Sequence, residues 1–155
     1  MVDLNVSSTS SLTAPLIGID FGRRRIGLAL SDPEGRLVTP RPTLTRRRGK
    51  RPPMAPILAL AEEVQAAGVV LGLPLSPGGE ETEWCAEVRR FGDQLAQQLD
   101  VPVHFQDERF SSAQAERLLR RADLGKKTRA DKGLVDATAA TIILQTWLDA
   151  RRKPS

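Results

Sequence analysis

The chain has 155 residues, 40% of them hydrophobic and 27% charged, which suits one compact domain with a sizeable core and is short for two. No apolar run reaches the ~18 residues of a membrane span, and with one cysteine, Cys85, an internal disulfide is excluded. The net charge of +4 conceals a segregation: Arg23 to Arg51 holds ten basic and two acidic residues, Pro52 to Glu116 three and eleven, and Arg117 to Lys132 seven and two. Blocks of this kind suggest a face that binds a polyanion, nucleic acid first among them.

In chain order, residues 1–15 contain six Ser or Thr between Ser7 and Thr13 and lack the basic start and apolar stretch of a signal peptide. They read as a flexible tail, and a cytoplasmic location is the default expectation. Residues 16–44 read as three short strands, LIGIDF, RIGLALS and RLVTPRPTL, joined by turn-forming Gly22-Arg23-Arg24 and Asp32-Pro33-Glu34-Gly35. That pattern predicts an antiparallel meander. RRRGKRPP (46–53) has neither periodicity nor apolar content and predicts an exposed loop.

The pattern then changes to helix and strand in alternation. Met54–Ala67 predicts a helix, Val69–Leu73 a buried strand, and Glu80–Leu99 a helix with Trp84, Val88, Phe91, Leu95 and Leu99 on one stripe. VPVHFQDE (101–108) predicts a further strand, and Ser111–Ala122 a helix with a Ser111/Gln114 capping box. Asp123–Lys132 predicts a basic loop, Gly133–Arg151 a largely buried final helix, and 151–155 a basic tail. The sum is an α/β fold over 16–150: a mixed five-stranded sheet, three antiparallel strands and then parallel ones, flanked by helices. Ligands of such sheets sit beyond the carboxyl ends of the parallel strands.

Three acids stand where acids are unfavourable. Asp20 lies inside LIGIDF, on the face it shares with Gly18 and Gly22. It is either an ordinary solvent-facing Asp or a carboxylate with room beside it for a metal ion or phosphate. Glu108 closes a strand shortly before a helix start, with Asp107 beside it. Asp136 is the strongest clue, because LVDATAATIILQTWL is apolar nearly all round and places it on a face with Ala139, Ala140 and Ile143. Such a carboxylate needs a partner: a basic residue, a helix dipole or a cation. With two other misplaced acids present, a cation is weighed first. Hard cations such as Mg²⁺ take oxygen ligands, and two of them roughly 3.5–4 Å apart hydrolyse phosphodiesters.

Taken in order and spacing, IGIDFG, RIGLALSD, VVLGLPLSPGG, DERFSS and KGLVDATAATIILQTWL resemble the YqgF/RuvX family of bacterial RNase H-like nucleases, over roughly Leu16 to Asp149. The resemblance implies an RNase H-like fold and a Mg²⁺- or Mn²⁺-dependent nuclease, with two ions when substrate is bound. It also implies processing of the 5′ end of the small-subunit ribosomal RNA precursor, pre-16S rRNA. The same family has been labelled Holliday junction resolvase. Its acidic positions match Asp20, Glu108 and Asp136, which become the expected catalytic residues and metal ligands, with Asp107 or Asp131 as further acids to consider. Junction resolvases of this fold carry another acid one turn beyond the third; here that position is Ala139, which weakens the resolvase label more than the nuclease one. A resolvase would act as a homodimer, presenting two sites to one junction.

The expected nucleic-acid contacts are Arg23, Arg24 and Arg25 in the first turn, Arg46, Arg47 and Arg48 in the basic loop, Arg109, and Lys126, Lys127, Arg129 and Lys132 before the last helix. Aromatics are only 4% with no Tyr, so few base-stacking surfaces are expected and affinity should be salt-dependent. His104 and Cys85 read as structural. Two other classes compete: a non-catalytic nucleic-acid-binding module, and a nucleotide hydrolase, since IGIDFG with GLALSD also resembles the phosphate-binding hairpin of actin-like ATPases and sugar kinases. The latter need two such domains.

Overall fold

Alternation along LIGIDF sorts its residues between two layers. Ile17, Ile19 and Phe21 are buried in a core with Ile57, Val88, Phe91 and Leu95, while Gly18 meets Leu144 on the opposite face. The computed structural model describes residues 14–109, 114, 115, 117 and 132–152. Within them β1 (Leu16–Phe21), β2 (Arg25–Ser31) and β3 (Val38–Thr45) form the antiparallel meander. After α1 (Ala55–Val64), β4 (Gly68–Leu73) pairs parallel with β1, and after α2 (Glu83–Leu99), β5 (Val103–Asp107) pairs parallel with β4. The last element is α3 (Lys132–Arg151). The strand order β3-β2-β1-β4-β5 is the mixed five-stranded sheet that the pattern predicts.

Caps set the ends that periodicity leaves open. α1 stops short of the predicted Ala67 because Gln65 takes a left-handed conformation with φ 54° and its N–H returns to the helix. α2 starts at Glu83 rather than Glu80 because Thr82 is its N-cap, its hydroxyl accepting from Cys85 N. Cys85 is fully buried and its thiol donates to Pro74 O at 3.3 Å, the structural role expected of it. Of the predicted Ser111–Ala122 helix, Gln114, Ala115 and Arg117 are helical and Ala115 is buried. Its Ser111 cap, the 123–131 loop and both tails beyond 14–152 lie outside the described residues.

α1 and α2 cover one face of the sheet and α3 the other. α3 buries Ala140, Ile143 and Leu144 against Ala29 and Val70, and Trp147 packs on His104 of β5 at 4.7 Å. His104 is thereby structural, and burial first and then Arg151 lower its pKa. The start of α3 lies almost on the β2 backbone. A Cβ on Gly27 would be 2.1 Å from Asp136 O, closer than any side chain allows. At the same point β2 and β3 shift register between Ile26 and Leu28, and Thr43 Oγ1 donates to Gly133 O at 2.6 Å. This irregularity, with Pro42 on an edge strand, bends β3 toward α3. Among the described residues no helix is long and apolar enough to cross a membrane.

Gly27→Ala should therefore push α3 off β2 and destabilise the fold by about 3 kcal/mol, the upper end for overpacking. Urea unfolding checks this, and a loss below ~0.5 kcal/mol would show that α3 is free to move aside.

Candidate active site

Strand register brings two of the three acids together. Ile19 of β1 pairs with Leu71 of β4, and Leu71 with Phe105 of β5, so Asp20, Gly72 and Glu108 project on the face covered by α3. β4 separates the two acidic strands, and at this level it has no side chain. A Cβ on Gly72 would be 2.9 Å from Glu108 Oε1 and 2.6 Å from Ile143 Cδ1. The Glu108 carboxyl lies over that gap, held by its backbone N–H on Leu73 O at 3.1 Å, and hydrogen-bonds to Asp20. Gly72, in the VVLGLPLSPGG motif, thus lies at this site.

Electrostatics follow from this placement. Burial is the first cause that raises Glu108, the Asp20 charge the second and the hydrogen bond to Asp20 the third; its pKa is pushed up to about 10. Asp20 is raised to about 6 by burial and by the charge of Asp136, against the opposing hydrogen bond from Glu108. Between those values the pair as a whole carries one proton.

Asp136 has a different partner. Arg25 Nε donates to its Oδ2 at 2.6 Å, with side-chain exposures of 33% and 21%. A basic residue, one of the three partners its helix position allowed, is in place, and Arg25 lies on this acid while keeping part of its side chain exposed. Arg109 likewise pairs with Asp107 at 2.7 Å and donates to Pro77 O at 3.2 Å, tying the β4–α2 loop to the end of β5. Arg24, Arg47 and Arg48 are exposed. Lys126, Lys127, Arg129 and Asp131 lie outside the described residues, and Lys132 begins α3.

The donor set suits a hard divalent cation in part. Two desolvated carboxyls share one proton over a gap bounded by a glycine, oxygen chemistry that Mg²⁺ or Mn²⁺ could replace. Yet among the described residues no three His, Cys, Asp or Glu side chains form one ligand cluster, because Asp136 turns to Arg25. Asp20 and Glu108 are the pair that fits, and Asp136 is close enough for its charge to raise Asp20.

The sequence missed one cluster. Trp84, read as the start of a core stripe, stacks on Phe21 and lies beneath Arg23. Periodicity shows which residues share a helix face; it does not show that this one stands at the sheet end beside Phe21 and Arg23.

A sheet ordered β3-β2-β1-β4-β5, backed by α3 and carrying acids at the carboxyl ends of β1 and β5, places the chain in the RNase H-like class of α/β proteins. The chain belongs to the RuvX family, described as Holliday junction resolvase, whose profile matches residues 14–150. A relative from Chloroflexus aggregans named "Putative pre-16S rRNA nuclease" is 44% identical over 139 residues, 90% of this chain and 96% of the relative. One of the same name from Syntrophomonas wolfei is 41% identical over 134 residues, 86% and 93% respectively. Among solved structures, T. thermophilus RuvC in complex with a Holliday junction substrate shares the fold at TM-score 0.55 and 19% identity, over 89% of this chain and 95% of that one.

Because both acids titrate above their ordinary range, the folded chain binds more protons than the unfolded one, and stability falls as pH rises from about 4.5 toward about 10. Glu108→Gln keeps a donor toward Asp20 without a titrating charge. In urea unfolding with chelator present, the variant should gain on the wild type by about 1–3 kcal/mol between pH 5 and 9. Parallel pH profiles would show Glu108 to be ionised throughout.

Proposed function

We propose that the chain is a divalent-metal-dependent nuclease that hydrolyses phosphodiester bonds in structured RNA, at the 5′ end of pre-16S rRNA. Asp20, Glu108 and Asp136 form its centre and hold Mg²⁺ or Mn²⁺. The observation that carries this reading is the Asp20–Glu108 carboxyl pair brought together over the gap at Gly72, with burial raising both acids. Two acids pressed together against their repulsion are poised for a cation. The names of the curated relatives supply the substrate.

When bound, the cation supplies activation of water and stabilisation of the leaving oxygen. The chain's own residues do the rest. Asp20 and Glu108 would hold the cation, and the proton now between them would pass to solvent water. Arg25 orients Asp136, and its guanidinium stands where a substrate phosphate can take it over. Arg23, Arg24, Arg46, Arg47, Arg48, Lys126, Lys127, Arg129 and Lys132 hold the phosphate backbone, with Arg109 bracing the loop beside the site.

A second reading, a junction-cutting DNA endonuclease acting as a homodimer, draws on the family's description and the sheet shared with RuvC. Ala139 argues against it: the position one turn beyond Asp136 is an alanine with no exposure at all, where a further acidic ligand has no place.

A cleavage panel of pre-16S rRNA, single-stranded RNA and DNA, and four-way junctions, with Mg²⁺ or Mn²⁺, decides between them. Cutting of the precursor should dominate, vanish with chelator and fall at least ~100-fold in Asp20→Asn. Equal activity in the variant sinks the assigned centre, and preferential cutting of junctions selects the second reading.

A further inference from the structure

The carboxyl end of β1 carries a second cluster on the face opposite the acids. Phe21 stacks on Phe91 at 4.1 Å and on Trp84 at 5.5 Å with 9° between ring planes, and Trp84 Nε1 donates to Phe21 O at 3.1 Å. The indole is therefore fixed by a ring on one side and a hydrogen bond at its edge. The Arg23 guanidinium carbon lies 4.1 Å from the Trp84 centroid, and that of Arg46 lies 4.8 Å from Phe21 and 5.9 Å from Trp84. Arg46 is anchored further: its Nη1 donates to Gly22 O at 2.9 Å and its backbone N–H to Arg24 O at 2.7 Å.

Two cations gathered on one aromatic surface call for an anion. Among the described residues neither Arg23 nor Arg46 forms an ion pair. The acid whose charge reaches Arg46, Glu87, is itself paired with Arg90 at 2.7 Å. Burial and the Arg23 charge both lower the Arg46 pKa, the mark of two guanidiniums close enough to repel. Cation–π contact accounts for part of the arrangement, ~0.5–1 kcal/mol per exposed pair. It does not account for choosing arginine twice, where one charge opposes the other. Planar guanidiniums suit phosphate oxygens, and Arg23 stands three residues after Asp20.

We propose that Arg23 and Arg46, held on the Phe21–Trp84 stack, form a two-guanidinium seat for a backbone phosphate of the nucleic-acid strand flanking the bond to be cut. Trp84 is the positioning residue that sets the pair's spacing. The seat rests on the nuclease reading only for its place relative to the cut; as a phosphate site it stands on its own geometry. The strand then passes over the end of the sheet, from the acids on the α3 face to the arginines on the α2 face.

The test measures binding without cleavage, using a fluorescent single-stranded RNA of about 12 nucleotides, a length suited to a single-strand site, titrated in chelator over a salt series. Arg23→Ala and Arg46→Ala should each weaken binding roughly three- to tenfold and lower the slope of log K against log salt by about 0.7. Arg36→Ala removes the same charge from the turn between β2 and β3, at the other end of the sheet, and should change neither. Trp84→Leu should weaken binding as the arginine variants do, and Trp84→Phe should restore most of it. Arginine variants indistinguishable from Arg36→Ala would overturn the seat, even if Trp84→Leu fails to fold. A protein that binds through these arginines yet cuts nothing would sink the nuclease reading and leave the seat standing.

Discussion

Asp20 lies on β1 and Glu108 just past the end of β5, strands that are not neighbours, with β4 between them. Two strand spacings put β1 and β5 roughly 9.5 Å apart, a span that a Glu side chain reaches across only if nothing stands in the middle. Gly72 supplies that opening, and Ile143 of α3 closes it from above, since a single added carbon would meet both Ile143 and the Glu108 carboxyl. The carboxyl pair, its desolvation and its shared proton all depend on this one missing side chain. The same contact explains why α3 must be small and apolar where it crosses: Ala139, Ala140 and Ile143 are fully or almost fully buried.

The pair remains a pair because a proton opposes the repulsion. Two full charges about 4 Å apart repel by ~4 kcal/mol at an effective dielectric of 20. A shared proton removes that repulsion, which is why burial and the neighbouring acid raise both carboxyls. Asp136 adds to the repulsion on Asp20, and its Arg25 partner limits how far its charge acts. A divalent cation would remove the need for the proton, and a substrate phosphate offers Arg25 an alternative anion. Cation and phosphate would then favour each other's binding through these four side chains.

Much of the fold was legible because local rules and global packing agree. Alternation in LIGIDF placed Asp20 on the face opposite Ile17, Ile19 and Phe21, and turn residues announced the meander. The apolar run around Asp136 announced a buried helix with one carboxylate in want of a partner. Which partner was not legible, since Arg25 and Asp136 are 111 residues apart and meet only through the close approach at Gly27. Nor was the role of Gly72, which needs the order of three strands before it means anything. Trp84 illustrates the converse limit. Its spacing to Val88 and Phe91 is that of core residues, and Val88 and Phe91 are core; only the hairpin that brings Arg23 and Arg46 over its ring gives it other work.

The charge blocks also change meaning once their members are placed. Of the ten basic residues between Arg23 and Arg51, Arg25 is neutralised by Asp136, and Arg36 lies in the turn between β2 and β3, away from the acids. Arg41 is exposed on the edge strand β3. What remains is Arg23 and Arg46 on their aromatic support at the carboxyl end of β1, and the exposed Arg24, Arg47, Arg48, Lys50 and Arg51. Arginines pinned to rings lose little freedom when they take a phosphate, whereas exposed ones must be ordered at that moment. The first two therefore suit the fixing of a strand's path past the acids, and the others suit attraction from a distance, which salt screens within about 8–10 Å. A uniform basic face would draw nucleic acid without orienting it; an anchored pair beside looser basic residues would do both.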